Sequence, residues 1–253
     1  MNDPHVSVLI YLVKHDETVN YDKASPLEYE TASFKVSIKG CAAHFEMKEH
    51  FPTAEQAREV VEPFIRQWEF AAALDRDPGK FELVFLEAVV EDRKPTPGVV
   101  ALKGAFTGSV AGSVSIVVGR ATYPEPPTGV AMNTDVEVMA LRHTRYKQRR
   151  DTLPGMAYFC LTVLEQAAGG RPAIPSKFGI ASSVIKTLGR LTGEKGGSEA
   201  RKGEGRSHEF TANERSWLEQ AAKRIIRRAA EVASDPAAAA ASQITMGDLP
   251  KLQ

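Results

Sequence analysis

Cysteine, long apolar runs and net charge are scarce or absent in this sequence. Its 253 residues include only Cys41 and Cys160, so no disulfide framework is expected and both side chains fit better as small, reduced apolar residues. The longest apolar runs, residues 6–13 and 156–164, are shorter than the roughly 18 residues that span a bilayer. The chain does not open with a basic region followed by a secretory core. We therefore expect a cytoplasmic protein with no membrane partner.

The net charge of zero hides an uneven distribution. Residues 1–132 carry 13 Lys and Arg against 19 Asp and Glu, a net charge of −6, whereas residues 133–253 carry 19 against 13, a net charge of +6. This asymmetry leaves two interpretations open. The two halves attract each other, or the basic half faces an anionic partner such as RNA.

Residues 1–130 have the patterns of a sheet domain with one long helix. Alternation of Phe34, Val36 and Ile38 with polar residues is typical of a strand with one face in water. Thr53 to Gln56 has the form of a capping box and predicts a helix start, and Pro63 should kink or split that helix. Strands are predicted at residues 5–13, which should be buried on both faces, and at residues 31–39, 81–90 and 109–120. Another strand should follow Gly40 and run through Phe45 and Met47. A polar loop should follow the first strand, and Gly40 should form a hairpin or a bulge.

Residues 131–253 predict four helices, at residues 134–150, 154–168, 176–191 and 211–233. The second is apolar on all sides, which is typical of the central helix of a bundle. Thr211 and Glu214 form a second capping box. The residues after Pro236 form a tail that either packs or stays mobile. The predicted fold class is therefore α+β, with a mixed, mainly antiparallel sheet domain and one long helix, followed by a domain like a four-helix bundle.

A polar segment, residues 192–209, joins the last two predicted helices and contains five glycines. Arg201 and His208 lie in it, separated by six residues. An imidazole can take a proton from a ribose 2′-hydroxyl and return one to the leaving oxygen. A guanidinium can hold the phosphate and its developing charge. The pair therefore predicts acid–base chemistry on a phosphodiester.

A helical bundle that carries Arg, a few polar residues and His just before its last long helix resembles the HEPN domains. Many of these are ribonucleases in bacterial defence, including antiviral defence, and in toxin systems. The resemblance covers residues 133–235 at most. It implies metal-independent RNA cleavage by a homodimer, in which each protomer contributes Arg201 and His208 at a shared interface.

Two basic clusters predict contact with a phosphate backbone. The first lies on the first bundle helix, where Tyr146 is placed to stack on a base. Its members are Arg142, Arg145, Tyr146, Lys147, Arg149 and Arg150, and Lys202 of the polar segment joins them as a candidate. The second cluster, on the last helix, comprises Lys223, Arg224, Arg227 and Arg228. The alternative is that both clusters are solvated helix faces. On the last helix, Glu219 and Glu231 lie four residues from Lys223 and Arg227 and supply ordinary surface pairs.

The sequence predicts no metal and no cofactor. His44, Glu46 and His50 share one face of a strand, but Lys48 stands between them and the spacing matches no closed set of zinc ligands. The glycines of residues 192–209 lack the fixed Lys and Ser or Thr of a phosphate-binding loop.

Two functional hypotheses follow. In the first, residues 1–130 recognise a ligand or protein partner, and residues 131–253 are an HEPN-like effector or dimerisation module that acts on RNA. In the second, the protein is a non-enzymatic subunit of a larger assembly that contacts protein or nucleic acid. Residues 192–209 are then a docking or hinge segment.

Overall fold

The structure is a computed structural model and describes residues 1–96, 122–195, 209–237 and 241–252. Its fold class is α+β, as the sequence predicts, with an antiparallel sheet and one long helix followed by several further helices. The chain forms two compact units. The sheet unit comprises Met1–Ala72 and Gly79–Pro126, and the helical unit comprises Ala73–Pro78 and Pro127–Gln253.

The sheet has five strands in the order β2-β3-β4-β1-β5, and each neighbouring pair is antiparallel. The strands are β1 (Pro4–Lys14), β2 (Leu27–Glu30), β3 (Phe34–Lys39), β4 (Ala42–Met47) and β5 (Glu82–Asp92). Alternate residues of β3 and β4 are buried, which confirms the predicted alternation. Gly40, at a φ of 61°, and Cys41 join β3 to β4, and Lys39 pairs with Ala42. A two-residue loop with only its first residue at positive φ is a type II′ hairpin turn.

Helix α1 (Ala54–Arg76) covers the buried face of the sheet. Val61, Ile65 and Trp68 are spaced to share one helix face and are buried in the same core as the inward strand residues. The Trp68 indole N–H donates to the Pro124 carbonyl oxygen at 3.1 Å, so this polar atom is satisfied inside the core. Helix α1 is continuous through Pro63, so of the two predicted effects of this proline, a kink or a split, the split does not occur.

The sheet differs from the prediction at two places, and one predicted strand is untested. Leu12 of β1 is 37% exposed, with Val84 and Leu86 of β5 at 47% and 61%, so β1 is not buried on both faces along its whole length. The predicted polar loop after β1 contains the short strand β2. The strand predicted at residues 109–120 lies outside the described residues.

The helical unit is built around α3. Its helices are α2 (Thr134–Lys147), α3 (Leu153–Ala168), α4 (Ile174–Phe178), α5 (Ser182–Glu194) and α6 (Ala212–Ser234), with short 3₁₀ turns at Arg171–Ala173 and Met246–Asp248. Helix α3 contacts α2, α5 and α6, and its residues Met156, Cys160 and Leu161 are fully buried. The predicted central position of this apolar helix is confirmed.

One predicted helix is divided, and the tail is packed. Gly179 adopts a φ of 60° and ends α4, so residues 176–191 are not one helix. A parallel bridge then joins Ile180 to Ile244, and the Arg228 guanidinium donates to the Ser242 carbonyl oxygen at 2.6 Å. These contacts hold residues 241–252 against the helices. Among the described helices, none combines the length and the apolar character needed to cross a bilayer.

Candidate nucleic-acid interface

The C-terminal end of α2 has an unusual backbone conformation. The Arg149 N–H donates to the Tyr146 carbonyl oxygen at 2.9 Å, and the Arg150 N–H donates to the Arg145 carbonyl oxygen at 2.8 Å. These are the two bonds of a Schellman motif, whose left-handed residue is usually glycine. Here Arg149 occupies that position with a φ of 59°. Because a Cβ clashes in this conformation, it costs about 1–2 kcal/mol.

This end of α2 borders an open cleft of about 600 Å³, which we call the first cleft. Its walls also include the start of α3 and the first turn of α6. The lining residues are Tyr146, Lys147, Arg149, Arg150, Asp151, Thr152, Leu153 and Arg215. Four of them are cations and one is a carboxylate, so the cleft is positively charged.

The start of α3 adds to this positive character. Thr152 is the N-cap of α3, and its hydroxyl accepts the Gly155 N–H at 3.2 Å. The N-terminal end of a helix carries partial positive charge and favours anions. The cap also needs glycine at position 155, because a Cβ there would lie 2.9 Å from the Thr152 hydroxyl.

Tyr146 gives the first cleft an aromatic wall. Its hydroxyl donates a hydrogen bond to the Glu219 carboxylate. Burial, together with this bond, raises the pKa of the Tyr146 hydroxyl well above its ordinary value. The phenol is therefore neutral at physiological pH. Its partly buried ring lines the first cleft.

Lys147 is shared between the first cleft and an ion pair. Its ammonium lies 2.7 Å from the carboxylate of Asp77, and the two side chains are 24% and 47% exposed. Asp77 follows α1 and has a φ of 79°, which makes it the other non-glycine residue with positive φ in the described chain. Such exposed pairs contribute about 0–1 kcal/mol. The ion pair therefore contributes little to stability, and its Lys147 also lines the first cleft.

Two members of the predicted cluster lie outside the first cleft. The Arg142 guanidinium donates to the Asp151 carboxylate at 2.7 Å and lies 4.7 Å from the centre of the Phe159 ring. Arg145 is exposed on α2 but does not line the cleft. Arg215 of α6 does line it, although no cluster in the sequence contains this residue.

The predicted catalytic residues Arg201 and His208, together with Lys202, lie outside the described residues. The described chain resumes at Glu209, and the Arg215 guanidinium lies 5.9 Å from the centre of the Phe210 ring. At the other end, Thr192 is part of α5 rather than of a linker. It is fully buried and its hydroxyl donates to the Leu188 carbonyl oxygen at 2.8 Å.

The second basic cluster surrounds another cleft of about 380 Å³ farther along α6, which we call the second cleft. Its lining residues are Leu74, Asp75, Gln220, Lys223, Arg224, Arg227, Arg228, Glu231 and Ile244. Arg227 pairs with Asp75 at 2.7 Å. Arg228 is 6% exposed and pairs with Glu231 at 2.8 Å.

His143 lies near lysines of both clefts, and the sequence patterns did not single it out. It is buried on α2, one turn before Lys147. Burial first, and then the charges of Lys223 and Lys147, lower the pKa of His143 to about 4, against a smaller opposing effect of Asp77. The imidazole is therefore neutral at pH 7 and adds no positive charge to either cleft.

Residues 1–96, 122–195, 209–237 and 241–252 contain no group of three or more His, Cys, Asp or Glu side chains able to hold a metal ion. No protein-family model, curated protein or solved structure matches this chain. Function is therefore inferred from the geometry and charge of the clefts.

Proposed function

We propose that the helical unit binds single-stranded RNA and that the first cleft holds its sugar-phosphate backbone. The convergence of Lys147, Arg149, Arg150 and Arg215 around one cleft carries this proposal. Cations that contact phosphates supply affinity without reading the sequence. The neutral Tyr146 ring supplies a surface on which any base can stack. The strained backbone of Arg149 also supports the proposal, since such strain clusters at functional sites.

A charge-removal experiment tests the proposal. Binding of a labelled single-stranded RNA of about 12 nucleotides is followed by fluorescence anisotropy at several salt concentrations. The variant Arg149→Gln/Arg150→Gln should bind at least about tenfold more weakly. Its plot of log affinity against log salt should be less steep by about 1.4, because each lost phosphate contact accounts for about 0.7.

A matched variant controls for the loss of two charges. Lys186 and Arg190 are exposed cations of α5 and line neither cleft. The variant Lys186→Gln/Arg190→Gln should keep the wild-type affinity and salt dependence to within about twofold. Equal losses in both variants would show that net charge alone attracts RNA, and the first cleft would be rejected as the site.

Metal-independent RNA cleavage is a second proposed function, on the basis of the HEPN resemblance. Arg201 would hold the phosphate and His208 would act as acid or base, in a homodimer. One observation favours it. Phe210, two residues after His208 in sequence, has its ring beside Arg215, which lines the first cleft.

Cleavage is tested with a mixed RNA pool in EDTA. Cleavage by the wild-type protein and not by His208→Ala supports the ribonuclease. Binding without cleavage by either protein supports the non-enzymatic alternative, an interaction subunit of a larger assembly.

A cytoplasmic location and a protein partner for the sheet unit belong to the same proposal. The two free cysteines are consistent with a reducing compartment.

A further inference from the structure

The two clefts lie along the same helix. Arg215 lines the first cleft and Arg227 lines the second. They lie twelve positions apart on α6, which corresponds to a rise of about 18 Å. Lys223 lies between Arg215 and Arg227 in α6. One ridge of the helix is formed by residues at four-residue spacing, namely Arg215, Glu219, Lys223 and Arg227. The single carboxylate on this stretch, Glu219, accepts the hydrogen bond of the Tyr146 hydroxyl.

Helix α2 joins the clefts from its side. Tyr146 contacts Glu219 of α6, and the charges of both Lys147 and Lys223 act on His143. Lys147 belongs to the first cleft and Lys223 to the second. The lysines of the two clefts therefore lie around one buried side chain.

Two carboxylates from one short segment form ion pairs with the clefts, one with a cation of each cleft. Asp75 pairs with Arg227 at 2.7 Å, and Asp77 pairs with Lys147 at 2.7 Å. Both belong to Ala73–Pro78, which forms part of the helical unit. Asp75 and Asp77 are 60% and 47% exposed. Their pairs are therefore weak and screened by salt, and a competing anion can displace them.

We propose that one RNA strand runs from the first cleft to the second, and that its phosphates replace Asp75 and Asp77 as partners of Arg227 and Lys147. This inference rests on the proposed RNA-binding function. A rise of about 18 Å corresponds to about five stacked nucleotides at about 3.4 Å each. An RNA much shorter than this reaches only one cleft, whereas a longer strand occupies both.

Chain length and variants together test the continuous path. Affinities are measured for single-stranded RNAs of about 3 and about 12 nucleotides. The second-cleft variant Lys223→Gln/Arg224→Gln should weaken binding of the longer RNA about tenfold and reduce its salt slope by about 1.4. The shorter RNA should change by less than about twofold. The first-cleft variant Arg149→Gln/Arg150→Gln should weaken binding of both.

Neutralising a carboxylate that competes with RNA should have the opposite effect and strengthen binding. Asp75→Asn should strengthen binding of the longer RNA by about three- to fivefold, because Arg227 loses its ion pair with Asp75. The control Glu194→Gln removes an exposed carboxylate of α5 that lines neither cleft, and its effect should be less than half as large.

The outcomes separate this inference from the function on which it rests. If the first-cleft variant weakens binding but the second-cleft variant leaves the longer RNA unaffected, the continuous path is wrong and the RNA-binding function stands. Equal effects of Asp75→Asn and Glu194→Gln would likewise overturn the role of Asp75. If the wild-type protein binds neither RNA, both proposals fail.

Discussion

Replacing Arg149 by glycine separates the backbone strain at the end of α2 from the charge of the first cleft. Arg149 has a φ of 59°, whereas Arg150, the next residue, is not in the left-handed region. The variants Arg149→Gly and Arg150→Gly remove the same charge and add the same freedom to the unfolded chain. Their difference in stability therefore isolates the cost of a left-handed arginine, about 1–2 kcal/mol.

Thermal unfolding followed by circular dichroism measures this difference. For a chain of this size, 1 kcal/mol shifts the Tm by about 2–4 °C, so Arg149→Gly should melt at least about 2 °C above Arg150→Gly. Each variant should also lose one phosphate contact, which lowers the salt slope of RNA binding by about 0.7. If Arg149→Gly melts at or below the temperature of Arg150→Gly, the end of α2 is unstrained. Backbone strain at Arg149 would then no longer support a binding role for this cleft.

Two further predictions concern the helical unit. The pKa of His143 is lowered to about 4 by burial and by Lys223 and Lys147, against about 6.5 unfolded, so acid favours the unfolded chain. The free energy of unfolding should fall by up to about 3 kcal/mol between pH 6.5 and 4. Urea unfolding at the two pH values measures this fall, which should be smaller for His143→Gln. Equal falls in the two proteins would contradict the prediction. Thr211→Ala removes the acceptor of the Glu214 N–H, 3.2 Å away, and should cost about 1 kcal/mol. Its Tm should fall by about 2–4 °C, whereas a similar fall for Thr211→Ser would argue against a capping role.

Local sequence patterns are sufficient to predict those helices and strands in which each face has one consistent environment. Helix α3 is apolar on all sides because it lies at the centre of the unit, and the alternation of β3 reflects one buried and one wet face. Strand β2 escaped prediction because it is a short edge strand. Its Glu28 and Glu30 pair with Lys35 and Lys48 at 3.0 Å and 2.7 Å, and such charges are typical of edges.

The sequence predicts the basic composition of the candidate site but not its geometry. The basic character of residues 142–150 is visible in the sequence, whereas the contribution of Arg215 depends on how α6 packs beside α2. The division of cations into lining and structural roles also depends on tertiary contacts. Arg142 is held by Asp151 and Phe159, and nothing in its sequence position distinguishes it from Arg149.

The packing of residues 241–252 has a consequence for the order in which the protein is made. Ile244 is 6% exposed and pairs with Ile180, while Arg228 of α6 needs the Ser242 carbonyl oxygen as an acceptor. During synthesis, α2 to α6 emerge from the ribosome before these partners do. Until Ile244 has emerged, Ile180 lacks its cover and the nearly buried Arg228 guanidinium lacks one acceptor. The core of this unit is therefore expected to close only after residues 241–252 have left the ribosome.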